Sequence, residues 1–324
     1  MRSTSFALLL LAGTSVSPLS GDVMVRFHNE MKFGVLLPQP ISDRTRGGAL
    51  MLLPDETTIY RKGNLEYLRQ GSFVMITDYG KEEVTLMDGE HKQFAKVAMK
   101  DYVAKISAVL PPLPPDEKDA NSKAKITYSP LTKTGKTADI NGVHAEEVMM
   151  TAAFDVPMPP VPPGTPKPSS PLFRAKLVVW VAQSDEAARV PAVKELAGRA
   201  WTTTKFSHSI DPANVFAWVY GAMPGLGDCL NGMLEAVEKT SPVVLKWHLA
   251  MGEPGMVPVL KKGVEDGNKL PEGANPEAPF SAVDGETQEI STEKIPDAKF
   301  TVPSDYKAAP FDEVAKAIGP LPKS

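Results

Sequence analysis

Between Ala49 and Val97 apolar and polar positions alternate in short bursts, LMLLP, TTIYRKG, NLEYLRQ, SFVMITDYG, EEVTLMDG and EHKQFAKV, most of them closed by a charged or glycine-bearing tip. Val84 and Leu86 fall on one parity and Glu83 and Thr85 on the other, which predicts strands with one face on a core and the other in water. Asp88-Gly89 between two such bursts is a hairpin signal, since glycine readily takes the left-handed backbone a tight turn needs. The segment reads as an antiparallel meander. In VAMKDYVAKISAVLPPLPP, which follows, Val97, either Tyr102 or Val103, Ile106 and Leu110 make a helical stripe that stops at Pro111.

After the loop PPLPPDEKDANSK a second strand series runs through AKITYSPL, GKTADI and VHAEEVMMTAAF, and resumes as LFRAKLVVWVAQ beyond the proline-rich stretch Pro157 to Pro171. Strand pattern of equal strength on both sides makes that stretch a polyproline-like loop between strands rather than a domain linker. The period then changes. PAVKELAGRAW and the segment Asp211 to Thr240 read as helices, with Asp211 as N-cap, Pro212 next to it and a break at Gly221 to Gly227. Strand pattern returns in PVVLKWHLAMG, ETQEISTEK and AKFTVP, GNKLPEGANPEAPFSA reads as a polar loop, and a short helix is expected near Phe311 to Ile318. The expected organisation is one α+β domain over residues 21–324, an antiparallel sheet with a helical insertion near residues 188–240.

The first residues place one Arg before the apolar run Phe6 to Ala12 and then small and polar residues. That is the layout of a secretory signal over residues 1–20, with the mature start in the stretch Ser15 to Asp22, and the run is too short to span a bilayer. LLLAGT lacks the cysteine of a lipoprotein box, since Thr14 stands at that position. The expected location is therefore exported, periplasmic or secreted, without a lipid anchor. The single cysteine, Cys229, allows no intramolecular disulfide and reads as a small buried apolar residue. With 35 basic and 39 acidic residues the chain lacks the cationic excess of a nucleic-acid-binding surface.

Motif by motif, catalytic chemistry fails. GKT at Gly135 to Thr137 ends the window PLTKTGKT, in which proline replaces the first glycine of a phosphate loop. Proline has no amide to offer a phosphate, and the flanking TADI-NG-VHAEEV pattern is a hairpin, so no nucleotide is expected. The glycines Gly221, Gly225, Gly227 and Gly232 follow a helix instead of a strand and do not make a dinucleotide loop. His28, His91, His144, His208 and His248 are scattered singly, without a spacing that presents two of them to a metal. No G-x-S-x-G elbow occurs. The carboxylate pairs Glu82-Glu83, Glu146-Glu147 and Asp185-Glu186 read as solvated strand ends or turns, because neighbours on a strand point to opposite faces. No catalytic residue, metal or cofactor is expected. What stands out is apolar: fourteen methionines, which fill irregular cores and also line adaptable pockets.

The order of elements resembles an exported bacterial family of unknown function, the DUF4412 type. The resemblance is carried by Thr85, Leu86, Lys92 and Phe94; by Thr134, Gly135, Ile140, Asn141 and Gly142; by Val179, Trp180 and Val181; and by Phe300, Val302, Pro303 and Tyr306. Val143 and Asp305 depart from that pattern, where it has a tyrosine and a glycine. The family is in turn similar to periplasmic lipoprotein carriers and their lipid-binding mycobacterial counterparts. This resemblance implies a strongly curved antiparallel half-barrel with helices covering its concave face, and a hydrophobic ligand or lipid held between them. Candidate cavity-lining residues are then Trp180, Phe216, Trp218, Val219, Met223, Leu230, Met233, Leu234 and Trp247. The expected function is a non-enzymatic exported binder or carrier. The alternative partner is an envelope protein, bound by a structural or interaction module whose core is filled. A third possibility, an envelope hydrolase, requires at least two histidines to converge.

Overall fold

The structure, a computed structural model, describes residues 21–33, 56–109, 125–155, 164, 166–197, 226–240, 243–267, 279 and 281–317. Its strands are β1 (Val23–Phe33), β2 (Glu56–Lys62), β3 (Leu65–Gln70), β4 (Phe73–Asp78), β5 (Glu83–Asp88), β6 (Gln93–Ala98), β7 (Lys125–Tyr128), β8 (Thr132–Ile140), β9 (Val143–Asp155), β10 (Phe173–Ala182), β11 (Val244–Gly252), β12 (Ser281–Ser291) and β13 (Lys307–Ala308). The described helices are α1 (Met99–Val109), α2 (Glu186–Arg189), α3 (191–197), α4 (Leu226–Glu238), α5 (Val257–Glu265) and α6 (Phe311–Ala317). All strands join one open, mainly antiparallel sheet in the order β13-β6-β5-β4-β3-β2-β1-β12-β11-β10-β9-β7, with β8 also on β9 and only β13 parallel to its neighbour.

The hairpins close where the turn residues predict. Asp88 accepts the amides of Glu90 and His91 through its Oδ1, at 2.9 and 3.4 Å. Asn141 and Gly142 take φ of 53° and 76°, the mirror-image turn that matches strand twist. The strand β1 was not expected from the sequence, and it joins the two halves: it pairs with β2 on one side and with β12, some two hundred and fifty residues later, on the other. AKFTVP is not the expected strand. Asp297–Phe300 forms a 3₁₀ turn, and residues 295–309 run as a strap over the sheet. Ile295 and Phe300 are buried there against Tyr67, Val74, Ile76 and Met87. The strap explains why β4 and β5 are buried on both faces, where the alternation predicts one wet face. The helix expected over the first part of Asp211 to Thr240 lies outside the described residues, whereas α4 occupies its last part.

Cross-strand partners share a face, so the registers assign faces along the whole sheet. Met75, Leu86 and Ala95 are mutual partners in β4, β5 and β6, and α1 and α6 cover them with Tyr102, Val314 and Ala315. Following the registers through β3, β2, β1 and β12, the same face carries Val283, Leu249, Leu177 and Met150 at the other end, where α4 packs Cys229, Leu230, Met233 and Val237. Helices α1, α4 and α6 thus sit on one face. The opposite face of β11, β12 and β1 carries the ion pairs of Lys246 with Glu286 at 2.8 Å and of Arg26 with Glu289 at 2.9 Å, and a contact of His248 Nδ1 with Asp284 at 2.6 Å. Bulges at Trp180/Val181 and Arg26/Phe27 re-aim the strands at one end, where α2 and α3 close the sheet over Val143, Ala145, Val243, Leu245, Val23 and Val25.

Glu186 is the anchor of that end. It is fully buried, contrary to its expectation as a solvated carboxylate, and accepts from the His144 amide at 2.9 Å and from Arg189 Nε at 2.8 Å, with Arg189 Nη2 on its other oxygen. Arg189 also donates to the Gly142 carbonyl at 2.6 Å, tying α2 to the β8–β9 turn. Hydrogen bonding from Arg189 holds the Glu186 carboxyl below the usual glutamate range. A folded-state pKa below the unfolded one gives stability that is present above the unfolded pKa and lost as pH falls through the folded one. Thermal melts of the wild type are therefore expected to drop as pH falls below the ordinary glutamate range. Glu186→Gln should melt lower at neutral pH and show a shallower acid decline; equal acid slopes would remove Glu186 as the anchor.

Candidate functional site

Among the described elements, α4 occupies one end of the helix-bearing face and α1 and α6 the other. Between these ends the strands β11, β12, β1, β2 and β3 present Trp247, Phe27, Ile59 and Leu68, all apolar and all only half-buried. Gly285 makes this strip possible. It is the direct partner of Trp247 on β12, and the indole lies flat across it, so close that a Cβ built on Gly285 would stand 2.0 Å from Cε2 and Cζ2 of the ring. Glycine inside a strand commonly marks such a close approach. Crossing β12 in this way, the Trp247 ring reaches Phe27 on β1 with centroids 5.6 Å apart and planes tilted by 59°. The three clusters meet along the strip: Trp247 and Leu249 pack on the α4 cluster, Phe27 on the α3 cluster, and Leu68 on the α1 and α6 cluster.

Polar side chains flank this floor, each nine-tenths or more buried. Thr287 is the cross-strand partner of Phe27, and Phe27 is the partner of Thr57. Asn29 Nδ2 donates to Thr57 Oγ1 at 3.3 Å, whereas Thr287 Oγ1, on a residue 2% exposed, has no hydrogen-bond partner among the described residues. One row further, Arg61, Glu66 and Thr77 are neighbours across β2, β3 and β4. Arg61 Nε donates to Glu66 Oε2 at 2.7 Å, with 8% and 4% of these residues exposed. Thr77 is fully buried and its Oγ1 also lacks a partner. A face of a sheet that were simply core would not hold so many polar groups, since each buried one needs a partner or costs stability.

The sequence-derived candidates divide. Leu230 and Met233 lie in the packed cluster under α4, with Leu234 beside them on the helix and half-buried. Trp247 is in the central strip. Trp180 is on the opposite parity: its partners are Glu147 and Lys246, and it packs at the end closed by α2 and α3. Phe216, Trp218, Val219 and Met223 lie outside the described residues. The alternations TTIYRKG and AVDGETQ do place Thr57, Ile59 and Arg61, and Val283, Gly285 and Thr287, on common parities, and Gly285 is a legible sign of close approach. Nothing local tells which parity faces the helices.

Of the histidines, His28 and His248 share the opposite face but stand on strands separated by β12, each beside a carboxylate. His91 pairs with Asp88 and His144 with Glu186, and His208 lies outside the described residues. Among the described residues no group of three metal-ligating side chains forms, and no helix is long and apolar enough to cross a membrane. At GKT, Gly135 has φ of 83° within an irregular stretch of β8, and Lys136 Nζ sits 3.0 Å from Glu147 Oε1, which also accepts from Thr134 at 2.8 Å. The lysine is thus paired with a carboxylate of its own sheet.

No family model matches the chain, and no curated protein matches it. A solved structure described as "Structure of PNGF-II in C2 space group" aligns with 92% of this chain at 8% identity and a TM-score of 0.30. The alignment spans 33% of that chain, and a likeness at this level carries no inference about this protein.

Proposed function

We propose that the protein is a non-enzymatic, exported binding protein that carries a lipid or other hydrophobic ligand on the helix-bearing face of a curved, half-barrel-like sheet. The observation that carries this reading is the half-buried strip Phe27, Trp247, Ile59 and Leu68 on the face that α1, α4 and α6 share. Apolar side chains left half-covered beside helices are the surface a hydrophobic ligand would finish burying, at about 25 cal/mol for each Å² removed from water. The residue pattern shared with the DUF4412 type, and the signal-like N-terminus, support an exported carrier.

The test is native mass spectrometry and lipid extraction of the purified protein, joined to titration with the uncharged probe N-phenyl-1-naphthylamine. A bound apolar species, or saturable probe uptake that Trp247→Ala weakens about tenfold, is the expected result; the loss of one large aromatic contact corresponds to about 1.4 kcal/mol or more. No bound species and no uptake would defeat the proposal. A second reading, an envelope interaction module with a filled core, is favoured by one observation: Cys229, Leu230 and Met233 are almost fully buried against Val148, Met150 and Leu177, so the part of the face under α4 is packed.

A further inference from the structure

Charge separates the two faces of the central strands. On the helix-bearing parity of β11, β12, β1, β2 and β3 stand Trp247, Leu249 and Met251; Ser281, Val283, Gly285 and Thr287; Val23, Val25, Phe27 and Asn29; Thr57, Ile59 and Arg61; and Glu66, Leu68 and Gln70. Arg61 and Glu66 are the only charges among them, and they neutralise each other at 2.7 Å. The opposite parity of the same strands carries Lys246, His248, Asp284, Glu286, Arg26, His28, Glu30, Glu56, Lys62 and Arg69. Among the described residues the strip thus offers no unpaired cation to a carboxylate or phosphate. Hydroxyls stand in and beside it: those of Thr287 and, next to the strip on β4, Thr77 are buried without partners among the described residues, a condition that costs stability until something hydrogen-bonds to them.

Resting on the carrier reading, we propose that the strip takes an uncharged amphiphile, a long-chain alcohol or hydroxylated neutral lipid, with its chain over Phe27 and Trp247 and its hydroxyl on Thr287. Thr287 is the cross-strand neighbour of Phe27, so the ring that supports the chain and the hydroxyl that meets the head stand side by side. A hydroxyl both donates and accepts, and can pair with a threonine without bringing a charge into a site that has none free to meet it.

The experiment compares dodecan-1-ol with dodecanoate at pH 8 on the full exported chain, by calorimetry and tryptophan emission. The alcohol is expected to bind at least about tenfold more tightly than the ionised acid, and Thr287→Val to shrink that preference by about tenfold, the scale of one lost hydrogen bond. Because the Thr287 hydroxyl has no partner among the described residues, Thr287→Val should also raise the melting temperature of the ligand-free form. Dodecanoate binding as tightly as the alcohol would overturn the uncharged-head assignment and leave the carrier standing. A lower melting temperature for ligand-free Thr287→Val, or an unchanged preference, would overturn the role of Thr287. Binding of neither compound would overturn this inference, and the carrier reading falls with it when N-phenyl-1-naphthylamine is not taken up either.

Discussion

Replacing Arg61 by methionine is expected to cost about 4 kcal/mol, because it leaves Glu66 as a buried carboxylate without its partner, and breaking a buried pair from one side typically costs about 3–5 kcal/mol. Methionine keeps much of the volume of the arginine stem, so the loss is chiefly electrostatic. The double replacement Arg61→Met with Glu66→Leu should recover most of it, because two well-packed apolar side chains no longer need desolvated charges to find each other. Urea denaturation of the two single variants and the double variant reads this directly. Comparable destabilisation in the double variant would mean that Arg61 and Glu66 act through other partners. The recovery carries a second consequence. If the pair is dispensable for stability, its presence among the otherwise uncharged residues of this parity on β11, β12, β1, β2 and β3 is better explained by what these strands meet than by what holds the sheet.

Much of this arrangement is legible locally, and the part that is not has a common cause. Asn141-Gly142 announces its hairpin because the turn needs left-handed backbone angles and these residues supply them, whereas Asp88-Gly89 announces its own through the Asp88 carboxylate, which accepts the turn amides, the left-handed residue there being Lys92. The stripe of α1 and the start of α6 just after Pro310 follow from helical period and proline punctuation. Strand β1 escapes because its partners are remote: VMVRFHNEMKF alternates, but its place depends on β12 at the other end of the chain. AKFTVP alternates too, yet its Phe300 belongs to a strap crossing the sheet and is buried against Tyr67, Val74, Ile76 and Met87 instead of joining a ladder. Glu186 reads as a surface acid because nothing near it in sequence except Arg189 shows that the His144 amide will need an acceptor. Of the candidate lining, the apolar residues of α4 are legible as apolar, but period alone cannot distinguish a helix that fills a core from one that roofs a space. The central strip depends on face assignment across seven or more strands, information that only the registers contain.

Gly285→Ala should be the more informative single change in the strip, with an expected loss of about 3 kcal/mol. In most strand interiors alanine is the better residue by about 0.5–1 kcal/mol, since glycine loses more backbone freedom on folding. Here the new Cβ would meet the Trp247 ring at 2.0 Å, and the atoms it meets belong to the rigid indole rather than to the tip of a flexible chain. The ring must leave β12, which breaks its contact with Phe27, worth about 0.5–1.5 kcal/mol, and adds the usual cost of overpacking, about 1–3 kcal/mol. In a Trp247→Ala background the same change should be neutral or slightly stabilising, because the clash is gone and the backbone advantage remains. That reversal of sign in a double-mutant cycle, measured by denaturant unfolding, isolates the ring from every other effect of the substitution. Gly285→Ala that is equally costly with and without Trp247 would show that the glycine serves the backbone alone. The predicted reversal would instead show that the sequence reserves the centre of this face for one flat aromatic ring.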